Sequence, residues 1–388
     1  MKKKVLLLGS SFSAAPMLFE LKNMGFCVEV CGDIPSDPCH QYSDESIKID
    51  YSKKRKLLNF LKEKKTDYVV PTCNDDSYMT GAYLAEKLNF IGFDSTENAG
   101  KIHKKTNFKE LLKKLKIPNA NYLEVSSVKQ LKSLNLRYPL LVKPDDSYSG
   151  KGITKIRSNK EINEAFNLAK KFSKTGKVFC EEYIKGTLHS HSAFLSNQKI
   201  IIDHFADEFC TRYPYQVNCS NSPSFLSSKT KNEVQKYCQT LAQSLDLNDG
   251  LLHMQFILKK GKAWILEAMR RCPGDLFPKM IEMSTGFNYT KHFIMPFIGQ
   301  SYEIQKSKPR KSVIIRHTIT TNKSIRFSSF SQKMPFKDVH IIPLKKSGEF
   351  TRAAPFDKIA IIFAKAHKKI DAKKTPENCK RLVSIFGY

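Results

Sequence analysis

Leu140-Leu141-Val142-Lys143-Pro144 leads through two aspartates into Ser147-Tyr148-Ser149-Gly150-Lys151-Gly152-Ile153. The first five residues read as an apolar strand with a lysine near its end. The small residues that follow make a loop whose glycines let backbone N–H groups approach phosphate oxygens, with two lysines supplying positive charge. The loop lacks the Walker spacing, so it is not a P-loop, and taken alone it would serve equally well as a hairpin turn.

Two further stretches lie downstream. Val178-Phe179-Cys180-Glu181-Glu182-Tyr183-Ile184-Lys185-Gly186 is an apolar strand whose end offers backbone groups and apolar faces to a planar ring. Leu252–Leu258, Lys259-Lys260-Gly261 and Lys262–Glu267 read as an antiparallel hairpin. With Leu258 facing Lys262, Glu267 falls opposite His253, and Gln255 is its diagonal neighbour at ~7–8 Å. Two oxygen donors so placed suit Mg²⁺, which takes one or two protein oxygens alongside substrate phosphates. Replacing Gln255 with Glu is expected to be tolerated on this reading. Arg270 and Arg271 follow at once and suit an anion clamp, although a structural Glu–Arg ion pair would have the same sequence.

Upstream, Val5–Gly9, Phe26–Gly32 and Tyr68–Pro71 read as strands. They alternate with helical stretches at Ala14–Met24, around Leu57, Leu58 and Leu61, and at Met79–Leu88. This βαβαβα order predicts a parallel sheet covered by helices. The first turn has Gly9 but no G-x-G-x-x-G, which argues against a dinucleotide site. Phe108, Leu111, Leu112 and Leu115 form a short amphipathic helix stopped by Ile117-Pro118. Ser158 with Glu161, and Thr230 with Glu233, have the spacing of capping boxes. Strands dominate 140–268, and a lysine-rich strand region follows Gly299.

The chain has 388 residues and a net charge of +28. Residues 301–388 carry 20 basic residues against 6 acidic ones. That excess admits a basic nucleic-acid-binding protein. No zinc-finger, basic-zipper or ribonucleoprotein motif accompanies it, so a lysine-rich surface that attracts small anions is preferred. Ten cysteines without a C-x-x-C pair form no zinc or redox motif and suit a reducing cytoplasm. The apolar stretch after Lys2-Lys3-Lys4 is too short for an export signal, and no run spans a bilayer.

The strand lysine, glycine loop, Glu-Glu-Tyr-Ile stretch and Gln/Glu hairpin with arginine, in this order, resemble the ATP-grasp superfamily of carboxylate–amine ligases. The resemblance implies an α/β fold. A Rossmann-like domain would span 1–98 and an ATP-grasp domain 99–299, with its lid near 120–185. A basic, strand-rich C-terminal subdomain at 300–388 would pack on that core. ATP and Mg²⁺ (or Mn²⁺) are the implied cofactors. Lys105 and Lys143 would contact ATP. Ser147, Ser149, Gly150, Lys151 and Gly152 would cover its phosphates, and Glu181, Glu182, Tyr183 and Ile184 would hold adenine. Gln255 and Glu267 would hold the metal, and Arg271, with Arg270 and Lys151, would be the catalytic cations.

This sequence departs from the pattern at several of these places. The first metal ligand is more often Glu than Gln255. An asparagine is usual where Met269 stands. The ribose-binding carboxylate is replaced by Leu188, beside His189 and His191, and His189 is a candidate to contact ribose instead. Arg212 and Tyr213, within Asp207–Ser224, are candidates to contact the acceptor. The implied activity joins a small-molecule acid to an amine through an acyl phosphate. The alternative within the fold is a carboxylase activating bicarbonate as carboxyphosphate. A cytoplasmic setting and small-molecule partners follow, and a homodimer is compatible with them.

Overall fold

A computed structural model describes residues 2–132, 136–146, 150–302, 312–333, 336–366, 374, 379 and 381–388. Val5–Leu8 are fully buried, as a strand covered on both faces must be. They form β1 (Lys4–Leu8), flanked in parallel by β2 (Cys27–Cys31) and β4 (Tyr68–Pro71), with a short β3 (Glu45–Ile47) beyond β2. Helices Ala15–Asn23, Pro38–Tyr42 and Lys54–Lys62 connect these strands, and Asp75–Leu88 follows β4. The edge strand β3 has no counterpart in the sequence reading. It is three residues long and two of them are exposed, so it shows no periodicity. The core of this sheet continues into helices Phe277–Thr285 and Tyr289–Ile294, which pack against it from the far end of the chain.

A second, four-stranded sheet contains β5 (Tyr122–Val125), β6 (Leu140–Pro144), β7 (Thr154–Ile156) and β8 (Val178–Glu182), in the order β5-β8-β6-β7. Helix Ile162–Phe172 packs Ala165, Phe166 and Ala169 into its apolar face. The expected Ser158–Glu161 box does not cap this helix. The Glu161 carboxylate instead accepts from the Arg157 N–H and the Ser158 hydroxyl, and a 3₁₀ turn precedes the helix. The Thr230–Glu233 box is likewise replaced. Ser227 lies three residues earlier, its hydroxyl oxygen accepts from the Thr230 N–H, and helix Ser228–Ser244 starts there.

The largest sheet has eight strands. These are β9 (Thr187–Ser196), β10 (Lys199–Phe209), β11 (Cys219–Ser222), β12 (Gly250–Lys259), β13 (Lys262–Met269), β14 (Ile314–Ile319), β16 (Lys337–Pro343) and β18 (Ala360–Lys365). Their order is β13-β12-β9-β10-β11-β14-β18-β16, antiparallel throughout. Strands from beyond residue 312 thus extend the sheet that carries the Gln/Glu hairpin. β15 (Ile325–Gln332), β17 (Phe350–Thr351) and β19 (Val383–Gly387) make a small separate sheet. Along β9, side chains alternate between the two faces. The face bearing Gln255, Ser190, Leu188 and Glu208 looks into the space between the three larger sheets.

The hairpin register differs from the expectation. Lys260 and Gly261 both have positive φ, so a two-residue turn pairs Lys259 with Lys262. A bulge between Gln255 and Phe256 then shifts the pairing by one more residue. Gln255 therefore stands directly opposite Glu267, and His253 opposite Met269.

Candidate active site

A cleft of about 1860 Å³ opens between the first sheet, the four-stranded sheet and the face of the large one. Lys143, at the end of β6, is paired with Glu181 at the end of β8, Nζ to Oε1 at 2.6 Å. Lys109 approaches the other oxygen of the same carboxylate at 3.3 Å. Burial alone would raise the Glu181 carboxyl, but Lys109 and Lys143 hold it down at about 2. Lys109 escaped the sequence reading. Its only signal is a position one turn after Lys105 on helix Lys105–Lys114, which places both lysines on one face. The Lys105 ammonium donates to the Asp145 carbonyl, and burial followed by repulsion from Lys143 lowers its pKa. Lys109 and Lys143 thus flank one buried carboxylate, and Lys105 lies near enough to Lys143 to feel its charge.

The chain leaves β8 through a fixed hinge. Glu182 accepts from Asn121 Nδ2 at 3.1 Å and from the Arg137 N–H at 3.0 Å, and the Tyr183 N–H donates to Pro139 O at 2.9 Å. Ile184 is buried beside it, and the Lys155 ammonium lies 3.5 Å from the Tyr183 ring centroid. His189 is bonded to Asp207 at 2.8 Å and to Thr187 at 2.7 Å and lines the cleft. His191 lies deeper along β9, bonded to Asp203 and stacked on Phe205, and does not line the cleft.

Several expected residues fall elsewhere. Ser147 and Ser149 lie outside the described residues. Gly150 and Gly152 have φ near +75°, and a Cβ on Gly150 would come within 2.4 Å of the Tyr215 carbonyl oxygen. These two left-handed residues carry Lys151 out of the cleft lining, with its ammonium 5.6 Å from the Phe356 ring centroid. Lys155 and Arg157 line the cleft in its place. Tyr213 donates to Gly150 O at 3.1 Å and so holds the loop end. Arg212 does not line the cleft, whose wall in this segment includes Thr211 and Pro214–Val217.

The two arginines diverge because successive residues face opposite ways. Arg270 is buried. Its guanidinium donates to Asp94 at 2.7 Å and to the carbonyls of Leu251 and Asn248, a set with no atom in the cleft. A catalytic part for Arg270 is therefore withdrawn, since its donors close the protein interior. Arg271 lines the cleft, with Nε donating to Asp75 at 2.7 Å. Burial raises the Asp75 carboxyl, but Arg271 and His103 outweigh it and keep Asp75 ionised. The backbone N–H of Arg270 donates to His103 Nε2, which leaves Nδ1 as the ring nitrogen that donates to Asp75.

At the metal end, Glu267 is exposed to the cleft and Gln255 is half-buried beside it. Gln255 Nε2 donates to Glu208 at 2.6 Å. Glu208 is not singled out by the sequence, where it is one of three acids on β10 beside Asp203 and Asp207. Burial pushes its carboxyl up to about 7, against the pull of Arg316. The donor set of one cleft-facing carboxylate, a directly paired amide oxygen and a carboxylate at one remove is all oxygen, as Mg²⁺ requires.

Comparison with known proteins bears on the fold. The family model described as D-ala D-ala ligase C-terminus matches residues 111–293. The formate-dependent phosphoribosylglycinamide formyltransferase of Prochlorococcus marinus subsp. pastoris is 28% identical over 285 residues, which is 70% of each chain. The structure resembles L-amino acid ligase from Bacillus licheniformis, with TM-score 0.80 and 15% identity over all of this chain and 99% of that one. It also resembles phosphoribosylglycinamide synthetase from Anaerococcus prevotii, with TM-score 0.77 and 20% identity over the whole of both chains. With three lysines and the Glu267 carboxylate lining one cleft, the chain has the fold of ATP-grasp enzymes, and residues 111–293 carry the match to the ligase family model within it.

Proposed function

We propose that the chain activates a small carboxylic acid with ATP and passes it to an amine, with the roles divided along the cleft. The observation that supports this most is the Lys109–Glu181–Lys143 cluster, lying in one cleft with the opposed pair Gln255 and Glu267. Lys105 and Lys143 would neutralise phosphate charge, and the Glu182–Ile184 hinge would receive the adenine. Arg271 would face the reacting carboxylate, oriented by Asp75 and His103. Phosphoryl transfer needs positioning and charge neutralisation rather than a covalent protein nucleophile, which suits this inventory.

Mg²⁺ would be held by Glu267 and the Gln255 amide oxygen, where it would screen the phosphate oxygens. The acceptor amine would enter from the carboxyl ends of β1 and β4, where Gly9–Ser13 and Asn74-Asp75 line the same cleft. All ten cysteines are free thiols, which suits a cytoplasmic setting. Among the described residues no helix is long and apolar enough to cross a membrane.

The test is phosphate release from ATP across a panel of acids, each with and without an amine pool. Release that needs both an acid and an amine is expected. Release driven by bicarbonate with no amine present would assign the chain to the carboxylase reading instead.

A further inference from the structure

We propose that Glu208 is a positioning residue for the metal end of the cleft, holding the Gln255 amide by its nitrogen and restoring the carboxylate that this position lacks. The proposal rests on the reading of Gln255 and Glu267 as the metal end. Members of the superfamily more often carry Glu where Gln255 stands, so a single carboxylate would remain if Glu267 acted alone. Glu208 lies on β10, two strands from Gln255. It faces Leu188 across β10 and β9, while Gln255 faces Ser190 on the other side of β9. The two side chains share a face and meet diagonally over β9, Nε2 to Oε2 at 2.6 Å.

This hydrogen bond sorts the two ends of the amide. With the nitrogen donating to Glu208, the amide oxygen is the end left for a cation beside Glu267. Glu208 is not taken up by its strongest cationic neighbour. Arg316 Nη1 donates to the carbonyls of Gly274 and Asp275, and Nη2 donates to Ser220 Oγ. On this proposal the carboxylate stands one side chain back, at Glu208 rather than at Gln255, with the hydrogen bond between them keeping it aimed at the same place.

That view makes a single Gln255→Glu change harmful, contrary to the sequence expectation, because it would put two carboxylates within hydrogen-bond distance. It also makes the exchanged pair, Glu208→Gln with Gln255→Glu, functional, since the same hydrogen bond forms in reverse and the charge is kept.

The test is the Mn²⁺ dissociation constant of the protein without nucleotide, read from the EPR signal of the free ion. Glu208→Gln, nearly isosteric, should weaken Mn²⁺ by about 10-fold, as loss of a partner behind a metal ligand typically does. The exchanged pair should recover to within about threefold of the wild type. Glu267→Gln serves as the control and should weaken Mn²⁺ at least as much. If Glu267→Gln weakens Mn²⁺ while Glu208→Gln leaves it unchanged, or if the exchanged pair recovers nothing, Glu208 is structural and the proposal fails alone. If neither change matters, or the wild type takes up no Mn²⁺, the metal reading fails and the proposal with it.

Discussion

Glu267→Gln should lower ATP turnover by at least about 100-fold at fixed Mg²⁺, with the fold intact. Glu267 is the carboxylate at this end of the cleft that is exposed to it, paired across the hairpin with Gln255. The substitution keeps size and hydrogen-bonding capacity while removing one charge, so it acts on electrostatics alone. Part of the lost rate should return as Mg²⁺ is raised, because a weaker site can be filled by mass action. A Mg²⁺ titration of ATP consumption in both proteins gives the answer. Wild-type turnover in the variant would make the hairpin a purely structural ion-pair site.

Lys143→Ala should remove the thermal stabilisation that Mg-ATP confers. A ligand at 100 times its Kd stabilises a protein by about 2.7 kcal/mol, and a variant that no longer binds gains almost nothing. The apo variant should melt lower than the wild type as well, because Glu181 would keep only Lys109 at 3.3 Å as its counter-charge. The two effects separate in a melting experiment run with and without nucleotide. A variant that melts lower yet gains the full wild-type increment from Mg-ATP would mean that Lys143 supports the fold rather than the nucleotide.

The features readable from the sequence were those whose signal is local. The apolar strand ending in Lys143, the β1–β2–β4 alternation and the order of the motifs all follow from composition over short windows. Features set by the third dimension were harder to read. The register of β12 and β13 depends on a two-residue turn with Lys260 in a left-handed conformation and on a bulge, and neither has a distinctive residue. Arg270 and Arg271 are chemically identical neighbours. Only the presence of Asp94 in the interior and Asp75 at the cleft tells them apart. Glu208 and Lys109 stand among other charged residues on their strand and helix, and their partners lie 47 and 72 residues away in the chain. No pattern along either strand or helix announces such a partner.

The central claim is that a substrate carboxylate attacks the γ-phosphate of ATP before an amine displaces it. The most direct measurement is oxygen transfer from acid to phosphate. The protein would be incubated with ATP, Mg²⁺, an amine pool and carboxyl-¹⁸O-labelled formate or amino acids, and the released phosphate examined by mass spectrometry. An acyl phosphate leaves one labelled oxygen in each phosphate released with amide, so the account predicts one ¹⁸O per turnover. Amide formation with unlabelled phosphate would mean that the acid is activated by another route, and would contradict it.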